Sequence, residues 1–281
     1  MSSTPADGLL FGPYRVLRTL GQGSMGVVYL AIDGQSGEAV ALKVFELAAG
    51  AGSAEQSEAR ARFLTEAEPM RRLQHPDIVA LHAAGEEAGR AWLAMELITG
   101  TSLERYTRPA RLLPEAVVMG IGARIARALH HAHGAGIVHR DVKPSNVMVD
   151  WASGRLKLAD FGLARLADAE RTRTGLVLGS PAYMAPEQLA GDPATPASDV
   201  YALGVLLFQL LTGRLPHDEA SLGELLRQVA SVPAPDLRSV RPGLPAPLAA
   251  MVAALLAKRP ADRPPDAATV AMQLQALHDS Y

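Results

Sequence analysis

Apolar and polar residues alternate roughly from Tyr14 to Leu20 and again from Val27 to Ile32, and Gly21-Gln22-Gly23-Ser24-Met25-Gly26 joins the two stretches. That period-2 pattern around a glycine-rich joint predicts two strands folding back on each other. A third strand, Glu38 to Phe45, follows the turn residues Gly34-Gln35-Ser36-Gly37. Leu47 to Ser57 is rich in Ala, Gly and Ser and is expected to be irregular. Phe63, Ala67, Met70 and Gln74 then recur at helical spacing. Ile78 to Ala84 and Ala91 to Ile98 read as two more strands, so the chain opens as an antiparallel sheet with one main helix. Thr99-Gly100-Thr101-Ser102 reads as a link.

Beyond the link the period is helical. Pro114 to His133 carries Val118, Ile121, Ile125 and Leu129 on one face, with Pro114 suited to a first helical turn. Asp199 to Gly213 is apolar nearly all round, which predicts burial. Further helices are expected at Ser221 to Ala230, Leu244 to Leu256 and Asp266 to Leu277. Five prolines between residues 233 and 247 assign Val232 to Pro247 to loop. The expected organisation is a polar leader over residues 1–13 and one α+β domain over 14–280, divided near Ile98 into residues 14–97 and 98–280.

Composition narrows the function. A net charge of -2 gives no electrostatic case for nucleic acid or anionic membrane. The absence of cysteine excludes disulfides and cysteine-ligated metals and fits the cytoplasm. The first residues lack the basic and apolar regions of a secretory signal, and no apolar run reaches the roughly 18 to 20 residues of a spanning helix. Membrane tethering would need sequence beyond this chain.

The candidate chemistry sits in two places. Gly-x-Gly-x-x-Gly at 21–26 is followed by Val27-Val28-Tyr29-Leu30, which favours strand, whereas a dinucleotide fingerprint opens a helix. No Lys-Ser or Lys-Thr pair follows Gly26, so a Walker loop is absent. The turn is either an ordinary glycine-rich hairpin or a cover for nucleotide phosphates, whose approach to the backbone amides glycine permits. Lys43 follows on the next strand among apolar neighbours, and Glu66 in the first helix is the carboxylate that could fix it. The second place is His139 to Gly162, where Asp141, Asn146 and Asp160 can converge on one metal-phosphate site if the segments between them form a hairpin.

Together the glycine turn, Val40-Ala41-Leu42-Lys43, Glu66, His139-Arg140-Asp141-Val142-Lys143-Pro144-Ser145-Asn146, Asp160-Phe161-Gly162 and Met184-Ala185-Pro186-Glu187 resemble the protein kinase family, most closely its bacterial Ser/Thr members. The resemblance runs from Tyr14 to about His278. It implies a two-lobed fold, a small sheet lobe and a larger helical one, and transfer of the ATP γ-phosphoryl group to protein hydroxyls. By the same resemblance Asp141 orients the hydroxyl and acts as base, Lys143 steadies the moving phosphoryl group, and Asn146 and Asp160 hold Mg²⁺, with Mn²⁺ an alternative. Leu20, Gly21, Gln22, Gly23, Ser24, Met25 and Gly26 would cover ATP. Val28, Ala41, Met95, Glu96, Ile98 and Met148 would line its adenine. Met70, Leu81, His139 and Phe161 would form an apolar stack based near Asp199.

Lys143 resembles Ser/Thr rather than tyrosine kinases, so serine or threonine is the expected target. Ser180 stands where the family usually has threonine, ahead of a peptide-binding platform. Glu187 is expected to pair with Arg263. Thr172 and Thr174 resemble paired threonines that bacterial kinases phosphorylate, with Arg140 and Arg165 placed to receive the charge. Autophosphorylation between two copies would then be the switch. Pro69, one turn after Glu66, implies a kinked or loosened helix end. The rival readings are a pseudokinase scaffold, which the presence of Lys43, Asp141, Asn146 and Asp160 disfavours, and a small-molecule phosphotransferase. The physiological substrate, activating signal and oligomeric state are not legible in the residues.

Overall fold

The computed structural model describes residues 8–23, 26–46, 53–87, 89–161, 181–218 and 221–281, with first-helix side chains at 61 and from 63 onward. These fall into two compact units, one reaching Thr99 and the other beginning at Gly100.

The first unit is a six-stranded antiparallel sheet in the order β1-β2-β3-β4-β6-β5, with one helix, α1. The strands are β1 (Leu10–Phe11), β2 (Tyr14–Gly23), β3 (Gly26–Asp33), β4 (Ala39–Glu46), β5 (Leu81–Glu87) and β6 (Arg90–Glu96). Alternation along β4 sends Val40, Leu42 and Val44 to one face, into a core with Phe11, Tyr14, Val16, Ala31, Trp92 and Ala94. Tyr14 meets Trp92 edge-on at 5.4 Å. The opposite face carries Ala41, Lys43 and Phe45, and Phe45 packs edge-on against Phe63 of α1 (Ser53–Arg71) at 5.5 Å. One contact thus fixes which face of the sheet the helix covers.

Two expectations need correction here. The leader contains β1, which pairs with β2. α1 begins at Ser53, inside the stretch read as irregular, because Ala, Glu, Gln and Arg from Ala54 onward are strong helix formers. Pro69, expected to kink or loosen the helix end, falls in the last turn of α1, and the chain leaves the helix through Arg72 N–H to Pro69 O and Leu73 N–H to Met70 O bonds of 3.2 and 3.1 Å. A proline this close to the end removes a single intrahelical donor.

The second unit is mainly helical. It has a short sheet, β7 (Thr101–Ser102), β8 (Val147–Asp150) and β9 (Arg155–Leu158), in that order. The helices are α2 (Glu115–Gly134), α3 (Pro186–Leu189), α4 (Pro196–Thr212), α5 (Leu222–Ser231), α6 (Leu237–Val240), α7 (Ala246–Leu255) and α8 (Ala267–Asp279). α4 is the axis of the unit: nearly every side chain from Ser198 to Thr212 is buried, as its all-round apolar pattern predicts. Its start lies three residues earlier than the pattern suggests, because Pro196 supplies a preset first turn and Ser198 Oγ accepts the Thr195 N–H at 3.1 Å. The proline-rich loop holds α6, capped by Asp236 Oδ1 accepting from Arg238 N–H. Thr101–Ser102, read as a link, pairs with Met148 and Val149. Among the described residues no helix is long and apolar enough to cross a membrane.

Candidate active site

In the first unit the strand register places several of the predicted phosphate and adenine residues on one face. Gly21 pairs with Val28, Val28 with Lys43, and Ala41 with Met95, so these side chains point away from the apolar core. Lys43 is 7% exposed. Glu66 lies one turn beyond Phe63 on the helix that covers this face, half-buried. Leu20 is exposed near the end of β2. The Glu96 N–H is committed to Ala80 O at 2.9 Å, so a donor for an outside acceptor has to come from Leu97 or Ile98.

The three glycines of the turn are not equivalent. Gly26 has φ +120°, and a Cβ there would stand 2.2 Å from the Val44 carbonyl oxygen. At Gly21 and Gly23 neither condition applies, and a Cβ would meet nothing within 4 Å. The fold therefore requires glycine only at Gly26. Gly26→Ala should cost more than the ~1–3 kcal/mol of a strained backbone, because β4 must also move. Gly23→Ala should leave the thermal midpoint unchanged, and equal midpoints for both variants would refute this distinction. Ser24 and Met25 lie outside the described residues.

The second unit arranges its own candidate residues around Asp199, which is 1% exposed at the start of α4. Its Oδ2 accepts the His139 N–H and meets His133 Nε2, and its Oδ1 accepts the Arg140 N–H, each at 2.8 Å. Arg140 is held at φ +72°, a left-handed conformation uncommon for a side-chain-bearing residue. The carboxylate supplies the acceptors that keep the backbone there. His139 is fully buried; its Nδ1 accepts the Asp141 N–H at 3.2 Å, which leaves Nε2 to donate to Ala159 O at 2.9 Å. Burial pushes its pKa down and keeps it in that neutral form. His139 thereby ties the segment before Asp141 to the segment before Asp160, and its ring lies 4.4 Å from that of Phe161. Met70 and Leu81, the other members of the expected stack, belong to the first unit.

Asn146, Lys143 and Asp141 form one cluster. Asn146 Nδ2 donates to Asp141 O at 2.7 Å and to Asp141 Oδ2 at 3.0 Å, and Lys143 Nζ pairs with the same Oδ2 at 2.7 Å. Both amide hydrogens of Asn146 are thus spent, which fixes its Oδ1 as the outward acceptor. Among the described residues no donor reaches Asp141 Oδ1. The hairpin expected from sequence is β8–β9: Val147 pairs with Leu158, and Ala159 N–H donates to Asn146 O at 2.8 Å. Asn146 and Asp160 therefore leave the hairpin side by side, Asp160 at φ +64°.

This donor set suits a hard divalent cation. Asn146 Oδ1 and the Asp160 carboxylate are oxygen donors, and no group of three His, Cys, Asp or Glu among the described residues could hold a metal. Such a site must take its remaining oxygens from phosphate and water, as Mg²⁺ sites do. Met148 lies half-buried on β8, paired with Ser102 and Lys157.

Glu187 and Arg263 meet as expected, in the interior. Arg263 is 5% exposed, and all five of its N–H groups have acceptors. Nη1 and Nη2 donate to Glu187 Oε1 and Oε2 at 2.7 and 2.8 Å, and the rest go to the carbonyls of Ala197, Ala257 and Lys258. Ser198 Oγ also donates to Glu187 Oε1 at 2.8 Å. Sequence reasoning missed His133 as an Asp199 partner and Ser198, the residue before Asp199, as a partner of Glu187; no local pattern marks either. Thr172, Thr174, Arg165, Gly162 and Ser180 lie outside the described residues.

The family model described as "Protein kinase domain" matches residues 14–277. Serine/threonine-protein kinase PknJ of Mycobacterium bovis is 41% identical over 260 residues, which cover 90% of this chain and 43% of that protein. Serine/threonine-protein kinase PrkC of Bacillus subtilis is 38% identical over 83% of this chain and 36% of its own length. This chain thus spans less than half the length of either relative. Among solved structures, the Mycobacterium tuberculosis PknI kinase domain superposes with a TM-score of 0.77 at 34% identity, covering 96% of this chain and 98% of that one. Family match, sequence relatives and solved structure agree with the motif order and with the two-unit architecture, so the chain belongs to the protein kinase family.

Proposed function

We propose that this chain is the catalytic part of an ATP-dependent protein serine/threonine kinase, and that the state of Asp141 carries that reading. Among the described residues the two donors that reach its carboxylate fall on Oδ2, which leaves Oδ1 to accept the proton of a seryl or threonyl hydroxyl. Lys143 is held on the other oxygen, Oδ2, and can stabilise charge on the transferring phosphoryl group. In the first unit Lys43 and the amides of the glycine turn bind the ATP phosphates, and Gly21 and Gly23 keep the turn bare where no fold requirement asks for it. Val28, Ala41, Met95 and Met148 contact the adenine, with Glu96 and Ile98 along its edge. Asn146 and Asp160 hold the divalent ion, for which we favour Mg²⁺ over Mn²⁺; when bound it neutralises phosphate charge.

Protein substrates present serine or threonine, with Ser180 beside them. Activity is switched by phosphorylation of Thr172 and Thr174 between two copies, with Arg140 receiving the new charge. The relatives' names support the Ser/Thr assignment, PknJ and PrkC both being called serine/threonine-protein kinases.

Transfer of radiolabel from γ-labelled ATP to the chain itself and to a generic protein substrate tests the reading. Label should appear on serine and threonine, should need Mg²⁺ and should disappear in Asp160→Ala. Transfer that survives in Asp160→Ala would overturn the metal assignment, and full activity in Thr172→Ala/Thr174→Ala would overturn the switch.

A further inference from the structure

Away from Asp141, the second unit carries an open cleft of about 300 Å³ between α2, the β8–β9 hairpin and α8. Ile121, Val149 and Leu156 make its floor apolar, and Gly120 adds no side chain to it. Arg124, Arg127 and His278 also line it, and no carboxylate does. A volume at the lower end of the ~300–1,000 Å³ range for small-molecule sites admits one ring or a short branched chain.

The walls are held in place without a ligand. Trp151 is 46% exposed, an unusual state for so large an apolar surface, yet it is not loose. Its indole N–H donates to Tyr106 Oη at 2.7 Å, and the two rings meet edge-on at 5.6 Å. Arg124 Nη1 donates to Gly154 O at 2.8 Å and so ties α2 to the hairpin turn. Arg127 Nη1 donates to Gln275 Oε1 at 3.3 Å, tying α2 to α8, and that neutral amide is its partner among the described residues. Among the described residues the nearby acids form no ion pair with Arg127. Asp279 Oδ1 meets His278 Nδ1 and Gln275 Nε2, Asp150 accepts from Ala152 N–H and Ser153 Oγ, and Glu115 pairs with Arg241. An apolar, aromatic-walled cleft with a positioned and uncompensated guanidinium is complementary to one ligand chemistry.

We propose that this cleft binds a small amphipathic anion: an apolar body seated on Trp151, Ile121 and Leu156, and a single carboxylate directed at Arg127. The preset walls lower the ordering cost of such binding. The assignment does not depend on the kinase reading, because every residue it uses lies away from Asp141, Asn146 and Asp160.

The two tryptophans of the chain make the test local, since Trp92 sits in the first unit and serves as the control. The probes are 4-phenylbutyrate and 4-phenylbutylamine, which share a body and differ in charge, titrated while the indole N–H resonances are followed by NMR. Phenylbutyrate should shift the Trp151 resonance saturably at millimolar concentration and leave Trp92 in place, and the amine should bind at least tenfold more weakly. Arg127→Glu, an exposed position, should weaken phenylbutyrate at least tenfold, and Gly120→Leu should fill the floor and abolish binding. If Gly120→Leu fails to fold, Arg127→Glu still decides the matter. An unmoved Trp151 resonance, equal binding of acid and amine, or unchanged affinity in Arg127→Glu would each overturn the proposal.

Discussion

Asp141→Ala is expected to slow phosphoryl transfer by at least the ~10²- to 10⁴-fold typical of losing a general base, with little loss of stability. The asymmetry follows from where the carboxylate stands. Its side chain is 12% exposed, and Lys143, the cation that touches it among the described residues, is 18% exposed, so water reaches that ammonium when the carboxylate goes. Asn146 keeps its bond to the Asp141 carbonyl oxygen, and the Asp141 N–H to His139 contact belongs to the backbone. Asp141→Asn keeps the shape but removes the charge and the ability to take a proton, so it should be slow like the alanine variant. ATP affinity should be unchanged in both. Turnover at saturating substrate, measured beside the thermal midpoint, separates chemistry from folding; transfer within tenfold of the parent would refute Asp141 as the base.

Glu187→Gln should destabilise the second unit by about 3–5 kcal/mol, the cost of leaving a buried charge without its partner. Arg263 has no exposed side-chain surface through which water could replace the carboxylate, and its five donors are built around two carboxylate oxygens and three carbonyls. For a chain of this size that corresponds to a drop of roughly 10 °C in the midpoint. The paired replacement Glu187→Leu/Arg263→Met should recover part of the loss, since it leaves no charge behind. Equal midpoints for Glu187→Gln and the parent would refute the argument.

The same pair sets an acid dependence. Burial pushes the Glu187 carboxyl up, but the hydrogen bonds from Arg263, its own backbone and Ser198 outweigh burial and hold the pKa below the usual value. A carboxylate with a depressed folded pKa contributes stability that is fully present above its unfolded pKa of about 4.3. That stability is lost as pH falls through the folded value. Unfolding curves between pH 6 and acid should therefore steepen below about pH 4 in the parent, and Glu187→Gln should lack that component. Because Ser198, which donates to Glu187, directly precedes Asp199, this pair also anchors the helix start that carries the carboxylate bound to the Arg140 N–H.

Sequence reading reached the strands, the long helices and the Asp141-Asn146-Asp160 hairpin because each rests on local rules. Alternation marks β2, β3 and β4; the all-round apolar run marks α4 as buried; four residues separate β8 from β9, which restricts them to a tight turn. It missed β1, the first five residues of α1 and α6, where two residues of strand, a helix start poor in apolar periodicity and a short turn between prolines leave no pattern to count.

The residues by themselves determined the family, the order of its parts and the chemical types gathered near Asp141, since motif spacing and donor chemistry survive without coordinates. Tertiary structure alone decided which glycine is obligatory, which oxygen of Asp141 stays open and why Arg140 can hold a left-handed backbone. Gly26 is forced by the carbonyl of Val44, eighteen residues away on another strand, and Arg140 by a carboxylate fifty-nine residues away. A hydrogen bond or a close backbone approach between distant segments depends on how whole elements pack. Its strength is set by burial and direction, and neither quantity exists in a chain until it has folded.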